Sequence, residues 1–201
     1  VIRVLLADDE NLIRSALAAL LGLEDDLQVV AQAANGDQAL ELALEHRPDV
    51  AVLDLQMPGR DGIAVAEALR AELPSCASVI VTSHGRPGHL KRALAVGARG
   101  FLPKTVSGEV LAEVLRVVHG GGRYVDSELA AEAISAGEGP LTSREADVLE
   151  LAADGAPIDE IARRASLSPG TVRNYLSAAV SKLGAANRHE AVHLARTHGW
   201  I

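Results

Sequence analysis

Over its first 119 residues the chain alternates short apolar, often β-branched runs with longer stretches in which apolar residues return every three or four positions. The runs VIRVLLA (1–7), LQVVAQA (27–33), DVAVLDL (49–55), ASVIVTS (77–83) and RGFLPK (99–104) read as five strands. Between and after them lie helical stripes, such as Leu12, Ile13, Ala16, Leu17, Leu20 and Leu21, or Val110, Leu111, Val114, Leu115 and Val118. Strands that alternate with helices form a parallel sheet, and right-handed crossovers place helices on both of its faces. The pattern therefore predicts a doubly wound α/β domain with a five-stranded parallel sheet over residues 1–119.

The period-two signal then stops. HGGGRY (119–124) and GEGP (137–140) punctuate the chain, and Ala136 with its neighbours has room for one short helix at most. This defines a linker over 120–140. Four helices follow, with clear boundary signals. Thr142 with Glu145 and Asn187 with Glu190 make capping boxes, Ser168 precedes a proline suited to the first helical turn, and Gly155 and Gly184 stand where helices should stop. Residues 141–201 thus read as a second, all-α domain. Within it, IDEIARRASLSPGTVRNYLSAAVSKLG predicts a helix ending near Ala165, a turn through Leu167 and a second helix from Pro169 to Leu183.

Composition narrows the setting. A chain of 201 residues can bury two small cores without disulfides, and Cys76 is its single cysteine. No apolar run reaches the roughly 18 residues of a membrane span, and no charged-then-apolar leader opens the sequence. A cytoplasmic protein without membrane insertion is expected. The net charge of −8 speaks against nucleic-acid binding until its distribution is read. Residues 161–201 carry Arg163, Arg164, Arg173, Lys182, Arg188 and Arg196 against Glu190 alone.

In a doubly wound sheet, ligands bind beyond the carboxyl ends of the strands. The first strand runs into Asp8, Asp9 and Glu10, the third into Asp54, the fourth into Thr82 and Ser83, and the fifth into Lys104. Carboxylates packed together repel, and either a raised pKa or a divalent cation relieves the repulsion. Oxygen ligands suit Mg²⁺ or Mn²⁺. A cation there would leave one carboxylate free to attack phosphorus, and Asp54, exposed by the MPG turn behind it, is the candidate. Lys104 could pair with Asp54 at rest and with a phosphoryl oxygen afterwards. His84, His89 and Trp200 join no constellation, and no Cys or His spacing indicates zinc.

The stretches LLADDE, VLDLQMPGRDG, VIVTSHG and GARGFLPK resemble the receiver domain of two-component response regulators. The resemblance implies that Asp54 accepts phosphate from a sensor histidine kinase. It implies direct Mg²⁺ ligation by Asp9, Asp54 and the Gln56 carbonyl, with Asp8 acting through water. Thr82 and Lys104 would hold phosphoryl oxygens. Phe101 stands at the family's switch-aromatic position, and the alternative for it is plain core packing.

Basic charge and capped helices indicate helix-turn-helix DNA binding. On the second helix of the pair, Val172, Leu176, Val180 and Leu183 form the buried stripe, leaving Thr171, Arg173, Asn174, Ser177 and Lys182 mostly off it. LTSREADVLELAADG, EIARRASLSPGTVRNYLSAAVSKLG and NRHEAV resemble the LuxR/NarL/FixJ-type tetrahelical domain, with a DesR-like flavour in TVRNYLS and the ending GW. This implies DNA contacts by Thr171, Arg173 and Asn174 and a phosphate contact by Lys182. Tyr175 departs from the family's frequent His. The expected whole is a phosphorylation-activated transcription factor that is not an enzyme and pairs as a homodimer on double-stranded DNA. The pairing face would be the first and fifth helices, or the fourth helix and fifth strand. The competing readings are a DNA-binding regulator that is never phosphorylated and a phosphatase of haloacid-dehalogenase type. The latter needs a second acid two residues after its nucleophile, where Gln56 stands.

Overall fold

A computed structural model describes residues 1–83, 86–135 and 139–201; His84, Ala136 and the start of the GEGP segment lie outside them. The chain divides into two compact units. The first is built on a six-stranded, all-parallel sheet: β1 (Ile2–Ala7), β2 (Leu27–Ala33), β3 (Val50–Asp54), β4 (Ala77–Thr82), β5 (Gly100–Pro103) and β6 (Tyr124–Val125), in the order β2-β1-β3-β4-β5-β6. Five helices interleave: α1 (Asn11–Leu21), α2 (Gly36–His46), α3 (Gly62–Glu72), α4 (Pro87–Val96) and α5 (Gly108–His119).

Alternation along the strands assigns the faces. Val4, Leu6, Val50, Val52, Val79, Val81 and Leu102 pack with Leu21 of α1 and Leu111, Val114, Leu115 and Val118 of α5. Leu5, Leu53, Ile80 and Phe101 alternate with them and are wholly buried. Strand order reverses between β1 and β3, where the site is expected.

The sixth strand adds to the five read from sequence. Tyr124 donates its N–H to Arg99 O at 2.9 Å and Asp126 to Phe101 O at 3.0 Å, which seals the edge of β5. Two residues are too few to show alternation, and the three glycines before them read as a turn. The unit that holds the sheet comprises Val1–Gly85 and Arg92–Ser127, and Arg86–Lys91 group with Glu128–Ile201.

The α1 stripe also splits. Leu21 is buried, yet Leu12 is 82% and Leu20 45% exposed, and Val110 and Val117 of α5 are exposed as well. The apolar arc on α1 is wider than the sheet can cover.

After α6 (Ser127–Ser135), the second unit contains α7 (Ser143–Leu151), α8 (Ile158–Ala165), α9 (Pro169–Lys182) and α10 (Arg188–Thr197). Its core is aliphatic: Val148, Leu149, Ile161, Ala162, Val172, Leu176, Ala179, Ala191 and Ala195. Both units lack ring-rich cores, as 2% aromatic content requires. The signals at Thr142 and Ser168 act as read, and the Asn187–Glu190 box does not close. Thr142 and Glu145 close a reciprocal box, Ser168 Oγ accepts from Thr171 N–H at 3.1 Å, and Gly155 and Gly184 adopt positive φ. At α10, Asn187 Oδ1 accepts from the N–H groups of His189 and Glu190, while the Glu190 carboxylate takes the Ala186 N–H instead of Asn187's. Among the described residues no helix is long and apolar enough to cross a membrane.

Candidate functional site

The parallel ladder delivers the strand-end residues to one rim. Asp8 follows β1 and donates its N–H to Ala33 O at the end of β2. Asp54 closes β3 beside Val81 of β4. Lys104 donates its backbone N–H to Thr82 O at 2.8 Å, so β4 and β5 set these two residues side by side. Behind Asp54 the chain turns through Met57, Pro58 and Gly59, the last at φ +76°, and α3 begins hard against the strand end. A Cβ on Gly62 would run into the Asp54 carbonyl oxygen, so this return path requires glycine. Arg60 pairs with Asp37 of α2 at 2.9 Å and ties the loop down.

On this rim the Lys104 ammonium meets three carboxylates: Asp8 Oδ2 at 2.8 Å, Asp54 Oδ2 at 3.1 Å and Glu10 Oε1 at 3.2 Å. Lys104, Asp8 and Asp54 are almost wholly enclosed and Glu10 is not. Burial pushes the Asp54 carboxyl up to about 6; the Lys104 ammonium opposes this, the Asp8 charge reinforces it, and the Gln56 N–H opposes it again. For Lys104, burial alone would lower the pKa, but its bonds to Asp8 and Asp54 outweigh that and raise it. The cation stays charged while Asp54 is poised near neutrality.

Asp8, Asp9 and Asp54 bring carboxylate oxygens within 4.8 Å of one another, with Asp9 facing solvent. This all-oxygen donor set fits a hard divalent ion. Thr82 is buried beside it. The Gln56 side chain is exposed, and its backbone N–H serves Asp54. Phe101 is wholly enclosed and packs as a core ring. Glu10 was read only as part of an acidic run; its grip on Lys104 spans 94 positions and has no local signature. His89 lies on α4 outside this cluster, and burial with the Asp49 charge pushes the Cys76 thiol up to about 12, leaving it inert.

In the helical unit α8 ends at Ala165, and Ser166 takes the left-handed conformation (φ 54°) that turns the chain toward α9. Val172 and Leu176 are buried and Val180 and Leu183 half-buried, as their spacing implies. Arg173, Asn174 and Ser177 are exposed on one stretch of α9, and the Thr171 hydroxyl lies 2.8 Å from that of Ser168. Lys182 differs from a free surface cation: it donates to the buried Glu145 carboxylate at 2.8 Å. Burial alone would raise the Glu145 pKa, but Lys182 and the cap at Thr142 hold it below the usual range. This pair joins α9 to α7, and a capping role for Glu145 gave no hint of it.

A doubly wound sheet with an acidic rim, followed by a tetrahelical unit with a helix-turn-helix, is the arrangement of a two-domain regulator that carries a DNA-binding module. Comparison with known proteins agrees. Residues 4–116 match the response regulator receiver domain, and residues 139–195 match the bacterial regulatory proteins of the luxR family. The chain is 40% identical over 200 residues to the transcriptional regulatory protein DesR of Bacillus subtilis (strain 168), covering 100% of this chain and 99% of that one. It is 42% identical over 202 residues to the uncharacterized transcriptional regulatory protein YvfU of the same organism, covering both in full. Among solved structures it resembles the response regulator ChrA of a heme-sensing two-component system, with 31% identity, a TM-score of 0.59, and 100% and 98% of the two chains covered. The chain belongs to the LuxR family of response regulators: it is a transcription factor with a receiver and a LuxR-type DNA-binding domain. The family is one of transcriptional regulators, not of turnover phosphatases.

Proposed function

We propose that Asp54 accepts a phosphoryl group from a partner sensor histidine kinase, and that this modification shifts the receiver to a dimerising state that favours sequence-specific binding to double-stranded DNA. The observation that carries the reading is the enclosed Asp54 carboxylate, paired with Lys104 and flanked by Asp8 and Asp9 at the strand-order reversal. Residues 1–119, extended through β6, form the receiver; the segment to 140 links it to the DNA-binding residues 141–201.

Asp8, Asp9, Asp54 and the Gln56 backbone carbonyl would hold Mg²⁺ or Mn²⁺, which when bound supplies positive charge against an approaching phosphoryl group. An Asp54 oxygen bonds to phosphorus while the bond from phosphorus to the donor's leaving atom breaks, and the leaving group departs with the electron pair. Lys104 and Thr82 receive the phosphoryl oxygens. The product adds roughly −1.5 to −2 charge, and it biases an equilibrium only through contacts that differ between the two states. Thr82 supplies such a contact, and Phe101, opposite Ile80 on the neighbouring strand β5, transmits it.

The exposed apolar arc of Leu12, Leu20, Val110 and Val117 favours the first and fifth helices as the pairing face, with a second copy of this chain as occupant. On DNA, Thr171, Arg173, Asn174 and Ser177 face base edges and phosphates, with Lys182 reaching phosphate only by sharing its charge with Glu145.

Intact-protein mass after incubation with acetyl phosphate and Mg²⁺ tests the reading. A single phosphoryl adduct is expected, absent from Asp54→Asn and absent with chelator. Normal labelling of the variant would sink the assignment; no labelling of the wild type would leave a DNA-binding regulator under some other control.

A further inference from the structure

An ammonium group has three N–H donors. Three carboxylate oxygens stand within 3.2 Å of Lys104 Nζ, so its donors are fully subscribed before any phosphoryl group arrives. For Lys104 to engage an oxygen of an incoming donor before transfer, while Asp54 is still a free carboxylate, one carboxylate must let go. The exposures decide which. The side chains of Asp8 and Asp54 are 6% and 7% exposed, and releasing either would strand a charge in a nearly closed site. The Glu10 side chain is 57% exposed and swings into water at little expense. Its local role also leaves it free to go. Glu10 occupies the N-cap of α1 without a side-chain capping bond, and it positions Asp8 through its backbone N–H, which donates to Asp8 Oδ1 at 2.8 Å. Moving the side chain disturbs neither.

We infer that Glu10 is a displaceable guard on Lys104: it holds one ammonium donor in the unmodified protein and yields that donor to the incoming phosphoryl group. The inference rests on Asp54 being the phosphoacceptor. Glu10 is a positioning residue here, since it touches Lys104 and not the reacting atoms. Its consequence is kinetic. A phosphodonor must outcompete Glu10 for Lys104, so the guard weakens productive engagement of a small anionic donor.

The test compares the full-length wild type with Glu10→Gln and Glu10→Asp, using acetyl phosphate as donor at saturating Mg²⁺ and intact mass as readout. Glu10→Gln removes the competing charge, while Glu10→Asp keeps the charge but is one methylene too short to reach Lys104. Both are expected to lower the half-saturating acetyl phosphate concentration by about threefold, the scale of one exposed ion pair, with the maximal rate moving less. Binding of beryllofluoride, a phosphoryl mimic that involves no transfer step, should tighten by a similar factor. A merely structural role would move the urea midpoint and leave this split untouched. If the wild type labels and Glu10→Gln labels with unchanged or weaker apparent affinity, the guard is refuted while the phosphoacceptor reading stands. Wild-type behaviour of Glu10→Asp beside an improved Glu10→Gln refutes it too, because diffuse charge and not the pairing would then be the cause. Failure of the wild type to label removes the phosphoacceptor reading itself and the guard with it.

Discussion

Asp54→Asn is expected to make the metal-free protein more stable at pH 7.5. The folded carboxyl titrates at about 6 against an ordinary value of 3.8, chiefly because burial disfavours the anion. The folded state therefore binds more protons than the unfolded state between those values, and stability falls as pH rises through that window. The difference of roughly two units corresponds to a ceiling of about 3 kcal/mol at pH well above 6. Asn has nearly the same shape, can still accept from Lys104 and the Gln56 N–H, and carries no charge to desolvate. Asp8 and Glu10 remain to neutralise Lys104. A gain of about 1–3 kcal/mol is expected in chelator at pH 7.5, shrinking toward zero near pH 4, where the wild-type carboxyl is protonated in the folded state.

Two compact units make whole-chain unfolding a poor readout, and the one tryptophan, Trp200, reports on the helical unit. Hydrogen exchange of peptides spanning β1 and β3, followed through a urea series at several pH values, isolates the receiver. A variant no more stable than wild type at pH 7.5 would refute the reasoning, as would a gain that persists at pH 4. Addition of Mg²⁺ should close the gap from the other side. An ion bound only by the folded state adds about 2.7 kcal/mol at a hundred times its Kd, and the variant lacks one ligand.

Gly62→Ala should destabilise the receiver by about 1–3 kcal/mol, because its Cβ meets backbone at Asp54 and not a movable side chain; hydrogen exchange of the β3 peptides measures it, and a silent variant would contradict the packing. Ser166→Gly should stabilise the helical unit by about 0.5–1 kcal/mol, since a residue with a Cβ now holds the left-handed turn before α9; Trp200 fluorescence in urea reports the shift. Arg173 and Lys182 should separate cleanly. Arg173→Ala leaves the urea midpoint unchanged and reduces the salt slope of binding to a mixed-sequence duplex by about one. Lys182→Ala costs about 1–3 kcal/mol of stability by leaving the buried Glu145 carboxylate without its counter-ion, held only by the Thr142 N–H.

The strand-end chemistry was legible in the sequence because a parallel sheet converts chain order into spatial neighbourhood. Once five apolar runs are assigned, the residues that end them must share a rim, and Asp8, Asp54, Thr82 and Lys104 do. The helix caps were legible for a simpler reason: Thr142, Ser168 and Asn187 act within three residues of themselves. What escaped has no such local grammar. β6 is two residues long and acquires its structure from the open edge of β5, not from any propensity of its own. The exposed half of the α1 stripe has the same composition as the buried half, so periodicity alone could not divide Leu12 from Leu21.

The ion pairs are the most instructive omission. Glu10 with Lys104 and Glu145 with Lys182 join positions 94 and 37 apart, and nothing in either neighbourhood names the partner. Their opposite burial gives them opposite uses. Glu145 is enclosed, so Lys182 cannot leave it cheaply and the pair fastens two helices. Glu10 is exposed, so its pair with Lys104 is weak enough to be exchanged for a phosphoryl oxygen. The same two residue types thus make a rivet in one unit and a latch in the other, and solvent access, which only the fold sets, decides between them.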